Sequence, residues 1–103
     1  MFSFGTVQVL SESQIPDSYS LNQPYPNPFN PVTSINFSVP LGSEVSLIVY
    51  NLKGRAVDVI YQGFIAAGNH TRSWDASEFS SGVYIIKMLA DGFSDNQKVI
   101  LIK

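Results

Sequence analysis

The sequence predicts an all-β chain, folded as an immunoglobulin-like antiparallel β-sandwich of about seven strands. Three observations predict it. From Thr33 onward, short runs of alternating apolar and polar residues are bounded by turn formers at roughly 8–14-residue spacing. No segment carries a sustained helical period. One late run opens after a corner as Ser81-Gly82-Val83-Tyr84. In such sandwiches a tyrosine at this corner donates its hydroxyl back to backbone a few residues upstream.

Residues 1–20 read as a linker or the tail of a preceding domain, and residues 21–103 as the sandwich. Thr6 to Leu10 is a strand candidate, and Ser11-Glu12-Ser13-Gln14 is polar. Pro16, Pro24, Pro26, Pro28 and Pro31 then crowd one short stretch, where missing backbone donors bias the chain to an extended, polyproline-like path. Ser34 to Val39 alternates with Ile35, Phe37 and Val39 on one face, and Pro40-Leu41-Gly42 ends it. Glu44 to Tyr50 alternates with Val45, Leu47 and Val49 in phase, and Asn51 to Gly54 supplies a hairpin loop. Ala56 to Gln62 reads as a strand with Val57, Val59 and Tyr61 in phase. His70 to Asp75, Val83 to Leu89 and Gln97 to Ile102 complete the set. In Val83 to Leu89 the phase puts Tyr84, Ile86 and Met88 inward and Lys87 outward.

Composition bounds the function. A chain of 103 residues is one domain, with little room for a deep cleft. Leu, Ile, Val and Phe total 33 residues, which rules out a disordered chain. Six basic against eight acidic residues give a net charge of −2, with no basic excess to neutralise phosphates, so nucleic acid is not a partner. The chain has no cysteine, hence no disulfide and no thiolate metal site. No Lys or Arg precedes Lys53 and no apolar run is long enough to span a bilayer, so neither a signal peptide nor a helical membrane span is expected within these residues. All six prolines lie at or before Pro40, whereas six of seven glycines lie at or after Gly42. The two ends are built differently.

Several motifs carry two readings. Tyr25-Pro26-Asn27-Pro28-Phe29-Asn30-Pro31 is either a stiff lead-in whose aromatics cover the open end of the sandwich, or an exposed rigid segment for a partner. Trp74 is a core plug or a platform for carbohydrate, the latter if Trp74, Tyr50 and Phe93 share one exposed face. Trp74-Asp75 occurs once, which excludes a propeller repeat. His70, the only histidine, has Ser73 and Asp75 near it, but strand residues three apart face opposite sides, so no catalytic triad is expected. Asp91 to Asn96 offers oxygen ligands without the spacing of a calcium loop, and is read as a hairpin turn. No cofactor, metal ligand or catalytic residue is expected. The sequons at Asn36 and Asn69 are at the level of chance. Lys98 and Lys103 flank the final apolar run, where lysines guard a sheet edge.

In order along the chain, Tyr25 to Pro31, Thr33-Ser34-Ile35-Asn36-Phe37, Val49 to Gly54, Gly68-Asn69-His70, Trp74-Asp75, Ser81 to Tyr84 and Lys98 to Lys103 resemble the type A C-terminal sorting domain of the type IX (Por) secretion system. The likeness runs from about Ile15 to Lys103. The related flagellar hook-capping immunoglobulin-like domain shares the Trp-Asp and Gly-x-Tyr features, but the proline-rich entry and terminal Lys favour the sorting domain. Ala76 stands where many relatives carry Gly, and Pro24 where Asn is frequent.

The resemblance implies a non-catalytic sorting signal at the C-terminus of a longer secreted protein, with Met1 opening a fragment. It implies a passenger domain upstream, outer-membrane type IX machinery and its surface peptidase as partners, and passage through the periplasm to the surface of a Gram-negative bacterium or into the medium. On this reading Tyr25, Pro26, Asn27, Pro28, Phe29, Lys98 and Lys103 contact partners. Trp74, Gly82 and Tyr84 hold the fold, and the last strand offers an edge for β-augmentation. Two other classes stay open: an immunoglobulin-like binding or adhesion module, and a structural subunit assembling by strand exchange through Thr6 to Leu10.

Overall fold

A computed structural model describes residues 15–103. The strand candidate Thr6 to Leu10 and the polar stretch at Glu12 lie outside the described residues. Seven strands form two antiparallel sheets: β1 (Ser20–Leu21), β2 (Val32–Val39), β3 (Ser43–Asn51), β4 (Ala56–Ile65), β5 (Gly68–Asp75), β6 (Gly82–Ala90) and β7 (Phe93–Leu101). One sheet runs β1-β2-β5, the other β4-β3-β6-β7. This is the immunoglobulin-like sandwich that the alternating runs predict.

Alternation explains the core. Ile35, Phe37 and Val39 from β2 meet Val45, Leu47 and Val49 from β3, with Ile86 and Met88 from β6 and Val99 and Leu101 from β7, all buried. A side-chain period of two places every second residue of each strand between the sheets. Tyr19 closes the side where β1 nears β7: its ring stacks on Phe93 at 5.6 Å and its hydroxyl lies 2.6 Å from Ser43 Oγ.

β4 departs from the expected phase. Its pairing with β3 shifts register between Leu47 and Ile48 and again between Val49 and Tyr50, so Ile60 and Val57 have no partner in the ladder. Each bulge inserts one residue and reverses the side-chain phase beyond it. Tyr61 therefore packs on the core while Val59 is half exposed and Asp58 is turned inward, its carboxylate accepting from Trp74 Nε1 at 2.9 Å. The in-phase set Val57, Val59 and Tyr61 is thus not one face. Two bulges also protect β4, an outer strand of its sheet, from pairing with another chain.

The proline-rich segment departs too. It does not run as an extended polyproline lead-in. Its Tyr25-Pro26, Asn27-Pro28 and Asn30-Pro31 peptide bonds are cis, and the chain bends back to bridge Ser34 of β2 through Tyr25 and Leu101 of β7 through Phe29.

Candidate functional site

The predicted partner residues and the predicted structural residues converge on one end of the sandwich. The segment from Gln23 to Phe29 lies along the outer edge of β7. Phe29 N–H donates to Ile100 O and Ile102 N–H donates to Phe29 O, both at 2.9 Å. Between them, Asn27 uses its side chain as a strand residue uses its backbone. Oδ1 accepts from Ile100 N–H and Nδ2 donates to Lys98 O, each at 2.9 Å. Gln23 Nε2 reaches the same Lys98 carbonyl at 3.4 Å, and Gln97 Nε2 donates to Leu21 O at 3.0 Å. The reason lies in the sequence: Pro26 and Pro28 have no N–H, so an amide side chain between them supplies the donor and acceptor that the ladder needs.

This pairing corrects one expectation. From Lys98 to Ile102 the edge of β7 is already taken by the proline-rich segment, and is not open for β-augmentation. Further along, Asp95 Oδ1 accepts from Asn96 N–H at 2.9 Å, shielding part of the remainder.

Behind the segment, Phe29 is buried and anchors an aromatic cluster. Its ring lies 5.5 Å from Trp74, which lies 5.5 Å from Tyr84 and 5.6 Å from Phe79. Tyr84 Oη donates to Ser80 O at 2.7 Å, four residues upstream, closing the corner before β6. Gly82, between them, holds φ at 157°, a backbone that a side chain disfavours. Trp74 is only 2% exposed, so Trp74, Tyr50 and Phe93 do not form a shared exposed face for carbohydrate.

The two aromatics of the motif have opposite fates. Phe29 covers the end of the core, whereas Tyr25 is 77% exposed. With exposed Pro26 and Pro28, it stands beside a shallow recess that Pro26, Pro28, Phe29, Asn30 and Ile102 line. Lys98 contributes its carbonyl to the clasp and leaves its side chain in solvent. Lys103 is docked at the same end: its N–H donates to Ser81 Oγ at 3.0 Å and its Nζ to Ser77 O at 2.6 Å.

The turn after Trp74 ties the two halves of this end together. Ala76 is fully buried, and its N–H donates to Pro31 O at 2.9 Å. No non-glycine residue among those described has a positive φ, so Ala76 fits this turn without strain. Asp75 accepts from Ser77 N–H at 3.0 Å and from the Ser77 hydroxyl, and these bonds hold its carboxyl below the ordinary aspartate value. His70 Nε2 lies 2.8 Å from Ala66 O, on the face of β5 opposite Ser73 and Asp75. Among the described residues, no group of three His, Asp or Glu side chains is placed to hold a metal ion. No helix among the described residues is long and apolar enough to cross a membrane.

Sequence reasoning did not single out Gln23, Ile100, Ile102, Phe79 or the bridging geometry of Asn27. The Pro-Asn-Pro spacing carried the last of these. The rest depend on which segments meet across the sandwich.

A family model described as the secretion system C-terminal sorting domain matches residues 23–103. No curated protein matches the chain.

Proposed function

The chain belongs to the secretion system C-terminal sorting domain family, and from that premise we propose that it carries an upstream passenger through the type IX machinery of a Gram-negative bacterium, by way of the periplasm, to the cell surface or the medium. The domain acts by recognition and not by catalysis. The observation that carries this reading is the clasp of the proline-rich segment on the last strand. It fuses two stretches about seventy residues apart in sequence into one rigid surface, with Tyr25, Pro26, Pro28 and Ile102 outward. A partner reading that surface reads a folded tail and rejects an unfolded one. Lys98 and Lys103 frame the same end. A surface peptidase would cut N-terminal to Tyr19, whose ring stacks on Phe93, within the polar stretch from Ser11.

The test is a reporter with an N-terminal export signal, fused ahead of this chain and expressed in a type IX-secreting bacterium. Reporter at the surface or in the medium, with the released tail beginning before Ser20, is the expected result. Reporter held in the periplasm, or a cut inside the strands after Thr33, would sink the reading. Lys103→Ala is the milder companion to deletion of residues 98–103, because deletion also removes half of β7.

A further inference from the structure

The two outer faces of the sandwich differ in chemistry. The three-stranded sheet presents small uncharged polar groups: Ser34, Asn36 and Ser38 on β2 against Ser73, Thr71 and Asn69 on β5. Thr71 Oγ1 donates to Asn36 Oδ1 at 2.6 Å and Ser38 Oγ to Asn69 Oδ1 at 2.7 Å, so this ladder satisfies itself. That is the expected solvent side of an antiparallel sheet.

The outer face of the four-stranded sheet is apolar where a solvent face is polar. Ile48 lies opposite Val59 on one neighbour, Tyr50 opposite Ile85 on the other, and Val83 opposite Ile100 beyond. These six residues cross all four strands, and Val59 is 51% exposed. Tyr50 and Ile85 line one shallow groove with Lys87 and Asn96. A contiguous apolar patch on a small domain marks a surface that something covers.

Charge says what covers it. Lys87 lies directly opposite Ile48 and Lys98 directly opposite Ile85 on adjacent strands, and Lys53 sits in the β3–β4 turn at the same end. Glu44 and Asp91 lie apart from that groove and line a separate recess at the other end of the sheet. Lys87 and Lys98 stand within the apolar rows of the sheet, each paired with an isoleucine. That arrangement suits a flat protein surface better than a lipid layer, into which apolar groups must project past the charged ones.

We propose that the outer face of the β4-β3-β6-β7 sheet is a second docking surface, for a folded partner protein that presents an apolar patch bordered by carboxylates toward Lys53, Lys87 and Lys98. This rests on the sorting reading and assigns one of its contacts to the sheet face that adjoins the proline-rich clasp along β7. Complementary charge fixes the direction in which the partner lies on the strands.

The reporter fusion also tests this face. Lys53→Glu with Lys87→Glu, two residues outside the clasp, is expected to lower surface reporter by about tenfold or more, since like charges now meet. Ser73→Glu, which adds charge on the other sheet, leaves export within about twofold, as a surface substitution away from a contact does. Thermal melting of each purified 103-residue variant checks that it is folded. A folded double-Glu variant that exports like the unmodified tail overturns the proposal while the sorting reading stands; an unmodified tail that exports nothing overturns the sorting reading itself. Sedimentation of the purified chain and flotation with phosphatidylglycerol vesicles test the other occupants. A dimer abolished by the double substitution, or vesicle binding abolished by it, gives the face to a second copy or to lipid and overturns the proposal. A monomer that ignores vesicles supports it.

Discussion

Asn27 and Ile100 are joined as neighbouring strand residues are, but on one side the partner is a side chain: Asn27 Oδ1 takes the Ile100 N–H at 2.9 Å while Nδ2 returns a bond to the Lys98 carbonyl. The proline-rich segment cannot form a regular ladder, because Pro26 and Pro28 on either side of Asn27 lack donors. It completes the edge of β7 by substituting an amide for a peptide group. Asn27→Ala therefore removes two hydrogen bonds together, with an expected destabilisation of about 1–3 kcal/mol. Faster hydrogen exchange at Ile100 N–H, with Val99 N–H little changed, is the local signature. Equal protection of Ile100 in the variant would show that the bridge contributes nothing.

Tyr84→Phe removes only the hydroxyl that bonds Ser80 O. Ser80 is exposed, so its carbonyl regains water, and the loss belongs at the lower end of the range for a hydrogen bond, about 1 kcal/mol. For a domain of this size that is a fall in Tm of about 4–8 °C. An unchanged Tm would mean that the ring's packing against Trp74 and Phe79, and not its hydroxyl, holds the corner.

Asp58→Ala leaves the Trp74 indole N–H without its acceptor in a part-buried position. Loss of a bond to a carboxylate, with the donor stranded, costs about 1–3 kcal/mol. The chain has one tryptophan, so its fluorescence reports this site alone. Chemical denaturation followed by that emission is expected to show a lower midpoint with an unchanged slope.

Asp75 supplies the pH dependence. The Ser77 hydroxyl and N–H stabilise its charged form, so its folded pKa lies below the ordinary 3.8. A depressed folded pKa means that the stabilisation is present above the unfolded value and is lost as pH falls through the folded one. A carboxyl NMR titration should place Asp75 below 3.8, and Ser77→Ala should raise it. A titration at or above 3.8 in the unmodified protein would contradict the turn geometry.

How much of this was readable in the chain depends on the kind of contact. Strict alternation in Ile35-x-Phe37-x-Val39 and Val45-x-Leu47-x-Val49 reports the core because a regular strand has one period. β4 breaks that link: two bulges reverse the phase, and nothing local in Val57 to Tyr61 announces them. The corner at Tyr84 was legible because donor and acceptor are four residues apart. The clasp on β7 was not, since Asn27 and Ile100 are 73 residues apart and only the packed sandwich brings them together. The proline spacing revealed a missing donor, but not which strand would provide the partner.

Phe29 and Tyr25, four residues apart in one motif, should separate folding from recognition. Phe29 is 2% exposed and packs on Trp74, so Phe29→Ala opens a cavity at the end of the core and should cost about 3–5 kcal/mol. In a small domain that is a large share of the total stability. Tyr25 is 77% exposed, and its backbone N–H and C=O both bond Ser34. Tyr25→Ala keeps those bonds and should change stability by less than about 0.5 kcal/mol. If the outward face of the motif is what the secretion machinery reads, Tyr25→Ala lowers export of a fused reporter while melting at the unmodified temperature. Phe29→Ala lowers both. Normal export by the Tyr25 variant, with loss confined to the Phe29 variant, would reduce the motif to a fold-holding clasp and place recognition elsewhere on the domain.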